Sequence, residues 1–241
     1  MMGAGPVPIP ARVARANSLV VNHLGGAMAK VIEQVKVMAQ YVFQTRSPWV
    51  MGVAGPGSAA MEMAAANLIE AGDTVLSISN GFFSNRMAQM AARVGAKVIE
   101  LEIDVKSAAD PSLIREAILL HAPKVITLVQ GETSNTVCNI HLKEIARIAK
   151  EYHCLVVVDA VCTLSTMPLK MDEWQIDAVI TGGQKGLSSI PGVSLLAFSE
   201  RAWQRIQERE SQVVQWCLDA KLATNFWHKD GYHYTAPVSG I

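Results

Sequence analysis

Two charged residues next to apolar segments are the strongest candidates for chemistry in this sequence. Lys185 lies in the segment TGGQKG at 181–186, directly after the apolar run 178–180. Desolvation at such a place lowers the pKa of a lysine and makes its amine a nucleophile that can form Schiff bases, although most loop lysines are ordinary surface residues. Asp159 directly follows the apolar run 155–158. It could be a Mg²⁺ ligand, a helix cap or the partner of a protonated pyridine nitrogen.

A glycine-rich turn, GPGS at 55–58, follows a short apolar run and precedes a helical stretch. Free backbone N–H groups and the helix dipole make such a turn an anion site, most often for phosphate. A P-loop is disfavoured because no lysine follows. A dinucleotide fingerprint GxGxxA fits 55–60, but the next strand ends at Asn80 rather than at an acidic residue that would bind a ribose. A plain tight turn remains the alternative.

Two further groups of residues follow predicted strands. Phe82 and Phe83 come after the strand 74–79, and the polar segment GETSN occupies 131–135 after the strand 125–129. Each has an ordinary explanation as core cover or polar loop, but an aromatic ring at a strand end can also stack on a planar cofactor. A phosphate turn, an aromatic, an aspartate and a lysine together suit pyridoxal 5′-phosphate, which has a phosphate, a flat ring, a ring nitrogen and an aldehyde.

Alternating strand and helix patterns are expected to position these residues. β-Branched runs are typical of strands buried on both faces, and stretches with helical spacing of apolar residues separate them. This alternation predicts an α/β fold with a mostly parallel sheet covered by helices on both faces, in which ligands bind beyond the carboxyl ends of the strands. The predicted strands are 49–53, 74–79, 97–103, 125–129, 155–158, 178–180 and 194–198. The predicted helices are 27–43, 59–69, 85–94, 111–120, 142–152 and 200–213, with no terminal element in 216–241.

Composition excludes several classes of protein. Of 241 residues, 50% are hydrophobic and 17% are charged, with 21 basic and 21 acidic residues. Such a chain is too apolar to be disordered, and zero net charge gives no electrostatic basis for binding nucleic acid or an anionic membrane. No apolar run reaches the ~18 residues of a membrane span, and no signal peptide is expected. The cysteines form no CxxC pair and no spacing suggests a metal site, so we expect reduced thiols and a cytoplasmic location.

In combination, these motifs resemble the class V aminotransferases, a fold-type I group of pyridoxal-phosphate enzymes, and among them most the alanine–glyoxylate and serine–pyruvate aminotransferases. The resemblance covers nearly the whole chain, from GAGPVPIPARV through GPGSAAMEMAAANLIEAGDTVL, NGFFSNR and GETSNT. Its most specific parts are VVVDAVCTL, ITGGQKGLSSIPGVSLLAFSERAW and YHYTAPVS. It implies an N-terminal segment, 1–20, packed on a cofactor-binding large domain, 21–241, with the small C-terminal domain of the family absent.

The resemblance also implies which side chains contact the cofactor's ring. Lys185 would bind the aldehyde covalently, and Asp159 would pair with the ring nitrogen and keep it protonated. Phe83 falls where the family has an aromatic stacked on one face of the ring, and Val161 would pack on the other face. Thr133 matches a hydroxyl residue near the cofactor.

A second set of residues is implied to hold the cofactor's phosphate. These residues are Pro56, Gly57, Ser58 and Gln184. Tyr232 and Thr235 match residues that, in the family, reach the phosphate bound by the neighbouring subunit. The resemblance therefore implies a homodimer with shared active sites.

The activity implied is the transfer of an amino group from a small amino acid, of the alanine or serine type, to a 2-oxo acid such as glyoxylate or pyruvate. Asn135 and the segment SSIP at 188–191 depart from the family pattern, and the arginine that binds the substrate carboxylate normally lies in the absent C-terminal part. Two alternatives stay open. One is a lyase or cysteine desulfurase of the same family, for which Cys162 follows Asp159 too closely to swing over a cofactor. The other is a catalytically incomplete cofactor-binding fragment.

Overall fold

A computed structural model describes residues 5–229 and 231–241. Its strands are β1 Val50–Ala54, β2 Thr74–Ser79, β3 Lys97–Glu102, β4 Val125–Val129, β5 Gly131–Glu132, β6 Val137–Cys138, β7 Leu155–Asp159, β8 Ala178–Gly182 and β9 Val193–Phe198. Seven of them form a central sheet with the order β1-β9-β8-β7-β4-β2-β3, and β5 pairs with β6 in a small hairpin. Within the central sheet β9 runs antiparallel to both its neighbours, whereas the other pairs are parallel. The predicted α/β class with a mostly parallel sheet is confirmed.

Helices cover both faces of this sheet. They are α1 Ala11–Asn17, α2 Gly26–Phe43, α3 Gly57–Leu68, α4 Phe82–Arg93, α5 Pro111–His121, α6 Leu142–Glu151, α7 Glu200–Gln207 and α8 Ala220–Trp227, with short 3-10 turns at Trp216–Leu218 and Val238–Gly240. Successive residues of a strand point to opposite faces. Accordingly, Leu155 and Val157 of β7 pack in a core with α3, α7 and α8. Val156 and Val158 pack in a second core with α5 and α6.

The central strands end level with one another, which creates the edge where a site can form. In the register of the sheet, Val129 of β4 lies opposite Asp159 of β7, and Asp159 lies opposite Ile180 of β8. All residues of these three strands are buried. Hydrophobic burial on both faces explains why the sequence shows continuous apolar runs here rather than alternation.

The strand predictions agree closely with the structure, and the helix predictions less so near the C-terminus. The bounds predicted for β2 and β4 are those observed, but α4 begins at Phe82 rather than at residue 85. The helix predicted over 200–213 ends at Gln207. Helix α8 was not predicted at all, although Asp219 caps it by accepting hydrogen bonds from the backbone N–H groups of Lys221 and Leu222.

The early end of α7 has a tertiary cause. Beyond Gln207 the Arg209 guanidinium donates to the carbonyl oxygens of Asn67 and Ile69, at 3.1 and 2.7 Å. The Glu70 carboxylate accepts from the backbone N–H groups of residues 210 and 211. These contacts link α7 to the end of α3, far away in sequence, so local periodicity could not reveal them.

Hydrogen bonds join the described part of the N-terminal segment to the rest of the chain. The backbone N–H of Val7 donates to the carbonyl of Gln184 at 3.0 Å, and the Ser239 hydroxyl donates to the carbonyl of Leu19 at 2.8 Å. Helix α1 itself has no buried residue. The division into a segment 1–20 and a domain 21–241 stays a prediction.

No helix within the described ranges is both long and apolar enough to cross a bilayer.

Candidate active site

The carboxyl edge of the sheet gathers the predicted site residues from several separate segments. Asp159 is the last residue of β7, and Lys185 lies in the turn that follows β8. The GPGS turn follows β1 and begins α3, while Phe83 lies in the first turn of α4, after β2. Because these strands are parallel, their carboxyl ends converge at the place where ligands bind in open α/β sheets.

Asp159 is a buried carboxylate with few hydrogen-bond donors. Its side chain is 4% exposed, and its Oδ1 accepts a hydrogen bond from the backbone N–H of Val161 at 2.8 Å. Burial raises the pKa of Asp159 to about 6, and the negative charge of Glu132 adds to this rise. The Val161 N–H and the positive charges of Arg86 and Lys185 act in the opposite direction. The site therefore leaves this carboxylate short of positive charge, which a cationic ligand group could supply.

This burial gives a prediction about the apoprotein. A carboxyl whose pKa rises from its ordinary 3.8 to about 6 on folding binds extra protons in the native state, so stability is lost as pH rises from about 4 through 6. At pH 7.5 the ionised Asp159 carboxylate lowers the free energy of unfolding by about 3 kcal/mol. We therefore expect Asp159→Asn to stabilise the apoprotein at pH 7.5, and the difference to shrink towards pH 4.5. Urea midpoints at the two pH values measure it.

Asp104→Asn, at an exposed loop aspartate, is the matched control for that experiment and should show no such pH-dependent gain. Equal stability of Asp159→Asn and the unsubstituted chain at both pH values would show that burial does not penalise the Asp159 charge.

The loop of Lys185 is built around close backbone contacts. A Cβ on Gly186 would lie 2.5 Å from the carbonyl oxygen of Leu164, and a Cβ on Gly183 would lie 2.9 Å from that of Val193. Such distances leave no room for a side chain, which explains the glycines on either side of the lysine. The lysine is half-buried, and its Cδ lies 3.0 Å from the position of a Cβ built on Gly5. The backbone of the N-terminal segment thus packs against the Lys185 side chain, a contact that the sequence did not indicate.

The GPGS turn offers an uncapped helix N-terminus. Pro56 is the N-cap residue of α3, and no side chain caps this helix. A Cβ on Gly57 would lie 2.6 Å from Cγ2 of Val161, so the turn closes directly on the residue that follows the Asp159 strand. The Ser58 hydroxyl accepts a hydrogen bond from Nη1 of Arg86 at 2.7 Å. The unpaired N–H groups of the first turn and the helix dipole favour an anion at this place.

Glu132 fixes the start of α4, where Phe83 lies. Its buried carboxylate accepts hydrogen bonds from the backbone N–H groups of Phe83 and Ser84, at 3.1 and 2.9 Å, and from the Ser134 hydroxyl at 2.6 Å. Burial by itself would raise the pKa of Glu132, but hydrogen bonds from Ser134, Ser84 and Phe83 together lower it. Glu132 is therefore an ionised helix cap that holds the half-buried Phe83 in position.

Sequence reasoning gave no role to Glu132 or Arg86. The Arg86 guanidinium carbon lies 5.0 Å from the ring centroids of both Phe82 and Phe83, within the range of a cation–π contact. The available signal was the helical spacing of Arg86 from the two aromatics, since residues three and four apart share a helix face.

Other predicted site residues lie in different surroundings. Gln184 is buried and its Oε1 has no hydrogen-bond partner among the described residues, as is also true of the Thr181 hydroxyl. Thr133 is half-buried, with its hydroxyl 3.9 Å from Sγ of Cys162. Burial raises the pKa of the Cys162 thiol, opposite to what a nucleophilic thiolate requires.

Tyr232 and Thr235 stand apart from this group. Both are exposed, Tyr232 by 54%, and the Tyr232 ring lies 5.6 Å from that of His23. Of the same motif, Tyr234 is nearer to the core, with its hydroxyl 3.4 Å from the backbone nitrogen of Ala54. The described ranges also contain no group of three or more His, Cys, Asp and Glu side chains able to hold a metal ion.

The fold and this site define a class of α/β protein in which a loop lysine, a buried aspartate and an anion-binding turn meet at the carboxyl edge of a parallel sheet. The sequence model of the class-V aminotransferases matches residues 11–213. The chain therefore belongs to the class V aminotransferase family.

Individual relatives agree with this assignment. The chain is 35% identical to alanine–glyoxylate aminotransferase of Oryctolagus cuniculus over 246 aligned positions, covering 100% of this chain and 62% of that protein. It is 35% identical to (S)-ureidoglycine–glyoxylate transaminase of Bacillus subtilis, covering 87% of this chain and 50% of that protein. The crystal structure of alanine–glyoxylate aminotransferase from Nostoc sp. superimposes with a TM-score of 0.96 at 34% identity, covering 99% of this chain and 63% of that one.

Two conclusions follow from these comparisons. The predicted family and the predicted fold-type I class are confirmed. The chain spans less than two thirds of the length of the relatives it matches.

Proposed function

We propose that this chain forms the cofactor-binding part of a pyridoxal-phosphate aminotransferase. The proposed reaction moves an amino group from a small amino acid, of the alanine or serine type, to a 2-oxo acid such as glyoxylate or pyruvate. The family membership supports the reaction class. The names of two relatives, an alanine–glyoxylate aminotransferase and a ureidoglycine–glyoxylate transaminase, support glyoxylate as the acceptor.

One observation carries the proposal: a buried carboxylate, Asp159, whose charge burial disfavours, lies within electrostatic reach of Lys185. A protonated ring nitrogen would supply the missing positive charge at Asp159. The polar atoms around it also fit the group, because the helix N-terminus at 56–58 suits a phosphate. The buried Oε1 of Gln184, the residue before the lysine, has no hydrogen-bond partner among the described residues.

Residues of this chain have separate roles in the proposed reaction. When bound, pyridoxal phosphate supplies an aldehyde that joins amines covalently and a protonated ring that withdraws electrons from a substrate carbon. Lys185 would hold the aldehyde carbon, and its free amine would take the proton from the substrate Cα. Asp159 would keep the ring nitrogen protonated. Phe83, fixed by Glu132, and Val161 would hold the ring.

The quaternary structure and location are part of the proposal. The exposure of Tyr232 and Thr235 supports a role for them at a neighbouring subunit's site rather than at their own, and hence a homodimer. A cytoplasmic location remains the prediction from the reduced cysteines.

A titration and an activity assay test this function. Adding pyridoxal phosphate to the protein should produce an absorbance band at the edge of the visible range, and borohydride should then fix the cofactor on the peptide that contains Lys185. With alanine or serine as donor, glycine should form from glyoxylate; with serine as donor, alanine should form from pyruvate. Chromatography of the products of the serine reactions ranks the two acceptors. Absence of the band, or a cofactor fixed on another lysine, would contradict the proposal.

A further inference from the structure

Arg86 lies beside the anion-binding turn and has no role in the reaction described above. We propose that Arg86 is the cation that binds the phosphate group of the cofactor, and that the two phenylalanines before it hold its guanidinium in place. This inference rests on the proposed function, since it deepens the account of the same site.

The position of the Arg86 guanidinium supports this role. Its Nη1 donates to the hydroxyl of Ser58 at 2.7 Å, and Ser58 is the second residue of α3, whose N-terminus no side chain caps. This is the only hydrogen bond that Arg86 makes to the described residues, although a guanidinium carries five N–H donors in a planar fork. Several donors therefore remain for a ligand bound at the turn. A fork of this kind matches phosphate oxygens in a bidentate manner.

The balance of charge at this edge of the sheet also supports a phosphate-binding role for Arg86. Two carboxylates lie here, Glu132 and Asp159, and the negative charge of the first already raises the pKa of the second. A phosphate monoester adds a charge of about −1.5 to −2 at pH 7. Lys185 is committed to the cofactor's aldehyde in the proposed reaction. Arg86 acts on the same region, because its charge lowers the pKa of Asp159, and so it can compensate the phosphate.

The Arg86 side chain is already oriented by two aromatic rings. The guanidinium lies 5.0 Å from the ring centroids of Phe82 and Phe83, which meet edge to face with 5.3 Å between their centroids. Contact with two rings restricts the long side chain before any ligand binds, so less entropy is lost on binding. A lysine has neither the flat guanidinium nor the fork, so Arg86→Lys would preserve the charge alone.

The experiment compares ligands with and without the phosphate. The unsubstituted chain, Arg86→Gln, Arg86→Lys and Arg93→Gln are titrated by absorbance with pyridoxal phosphate and with pyridoxal, which lacks the phosphate. Arg93 lies at the end of the same helix and is exposed, so its substitution is the matched control. In parallel, the melting temperature of each apoprotein is measured with and without inorganic phosphate.

We expect Arg86→Gln to weaken binding of pyridoxal phosphate about ten- to a hundredfold, the loss typical of a hydrogen bond to a charged group. Binding of pyridoxal should change far less, and phosphate should no longer raise the melting temperature. The affinity of Arg86→Lys for pyridoxal phosphate should lie between that of Arg86→Gln and that of the unsubstituted chain. The affinity of Arg93→Gln should match that of the unsubstituted chain.

Three outcomes would overturn the inference. The first is an equal loss of affinity for both ligands in Arg86→Gln, which indicates that Arg86 only supports the fold or the ring. The second is an unchanged affinity of Arg86→Gln for pyridoxal phosphate, and the third is a phosphate-induced melting shift that persists in Arg86→Gln. If Arg86→Gln does not fold, by circular dichroism, Arg86→Lys decides by the same ratio of the two affinities. Failure of the unsubstituted chain to bind either ligand would instead contradict the proposed function.

Discussion

Transamination is expected to fall by at least about a thousandfold in Lys185→Ala, because general acid–base catalysis alone contributes about 10²–10⁴ and the covalent link is lost as well. The cofactor should still bind, because the residues proposed to bind its phosphate, in the turn at 56–58 and at Arg86, lie on other segments. The rate of pyruvate formation from alanine in a single turnover measures the first effect. The absorbance of cofactor retained after gel filtration measures the second.

Two controls separate a chemical effect from a structural one. Lys106→Ala removes an exposed lysine on the loop after β3 and should leave the rate unchanged. Methylamine, a small external base, should restore part of the activity of Lys185→Ala without changing its melting temperature. Substantial transamination by the variant in the absence of added amine would show that another residue moves the Cα proton.

The strands and their site residues could be predicted because one physical rule governs both. Burial on both faces of a parallel sheet produces near-continuous apolar runs, and such a run gave the bounds of β4 to the residue. The residues that follow them, such as Asp159, then lie at the edge where ligands bind. Local patterns were enough because the apolar run of each strand and the residue that follows it are adjacent in the sequence.

Glu132 and Arg86 could not be assigned in this way, because their partners are set by the order of the strands. Glu132 caps α4 only because β4 lies next to β2 in the sheet, which brings the segment after β4 to the helix that follows β2. Arg86 reaches Ser58 across the interface of α3 and α4. The sequence near Glu132 and Arg86 does not indicate that they contact the start of α4 and Ser58.

The largest effect on stability is expected at Asp177, the residue before β8. Its side chain is 2% exposed, and it accepts hydrogen bonds from the backbone N–H of Val156 in β7 and from the Ser199 hydroxyl, both at 2.9 Å. The Arg201 guanidinium donates to it through Nε and Nη2. Asp177→Ala leaves these donors without their acceptor, and removal of one partner of a buried pair costs about 3–5 kcal/mol. The urea midpoint should fall accordingly at an unchanged m-value.

A double-mutant cycle and a surface control test the cause. If the Asp177–Arg201 pair causes the loss of stability, Arg201→Ala should lower the free energy of unfolding much less in the Asp177→Ala background than alone. The reason is that the effects of substituting two residues in contact are not additive. Glu173→Ala breaks exposed ion pairs with Lys143 and Lys170 and should have little effect. Additive costs would instead assign the loss of stability to packing around β8.

Because Asp177 joins β7 to β8 and α7, its loss should also loosen the two strands that carry Asp159 and the Lys185 loop. Affinity for pyridoxal phosphate should therefore fall together with stability.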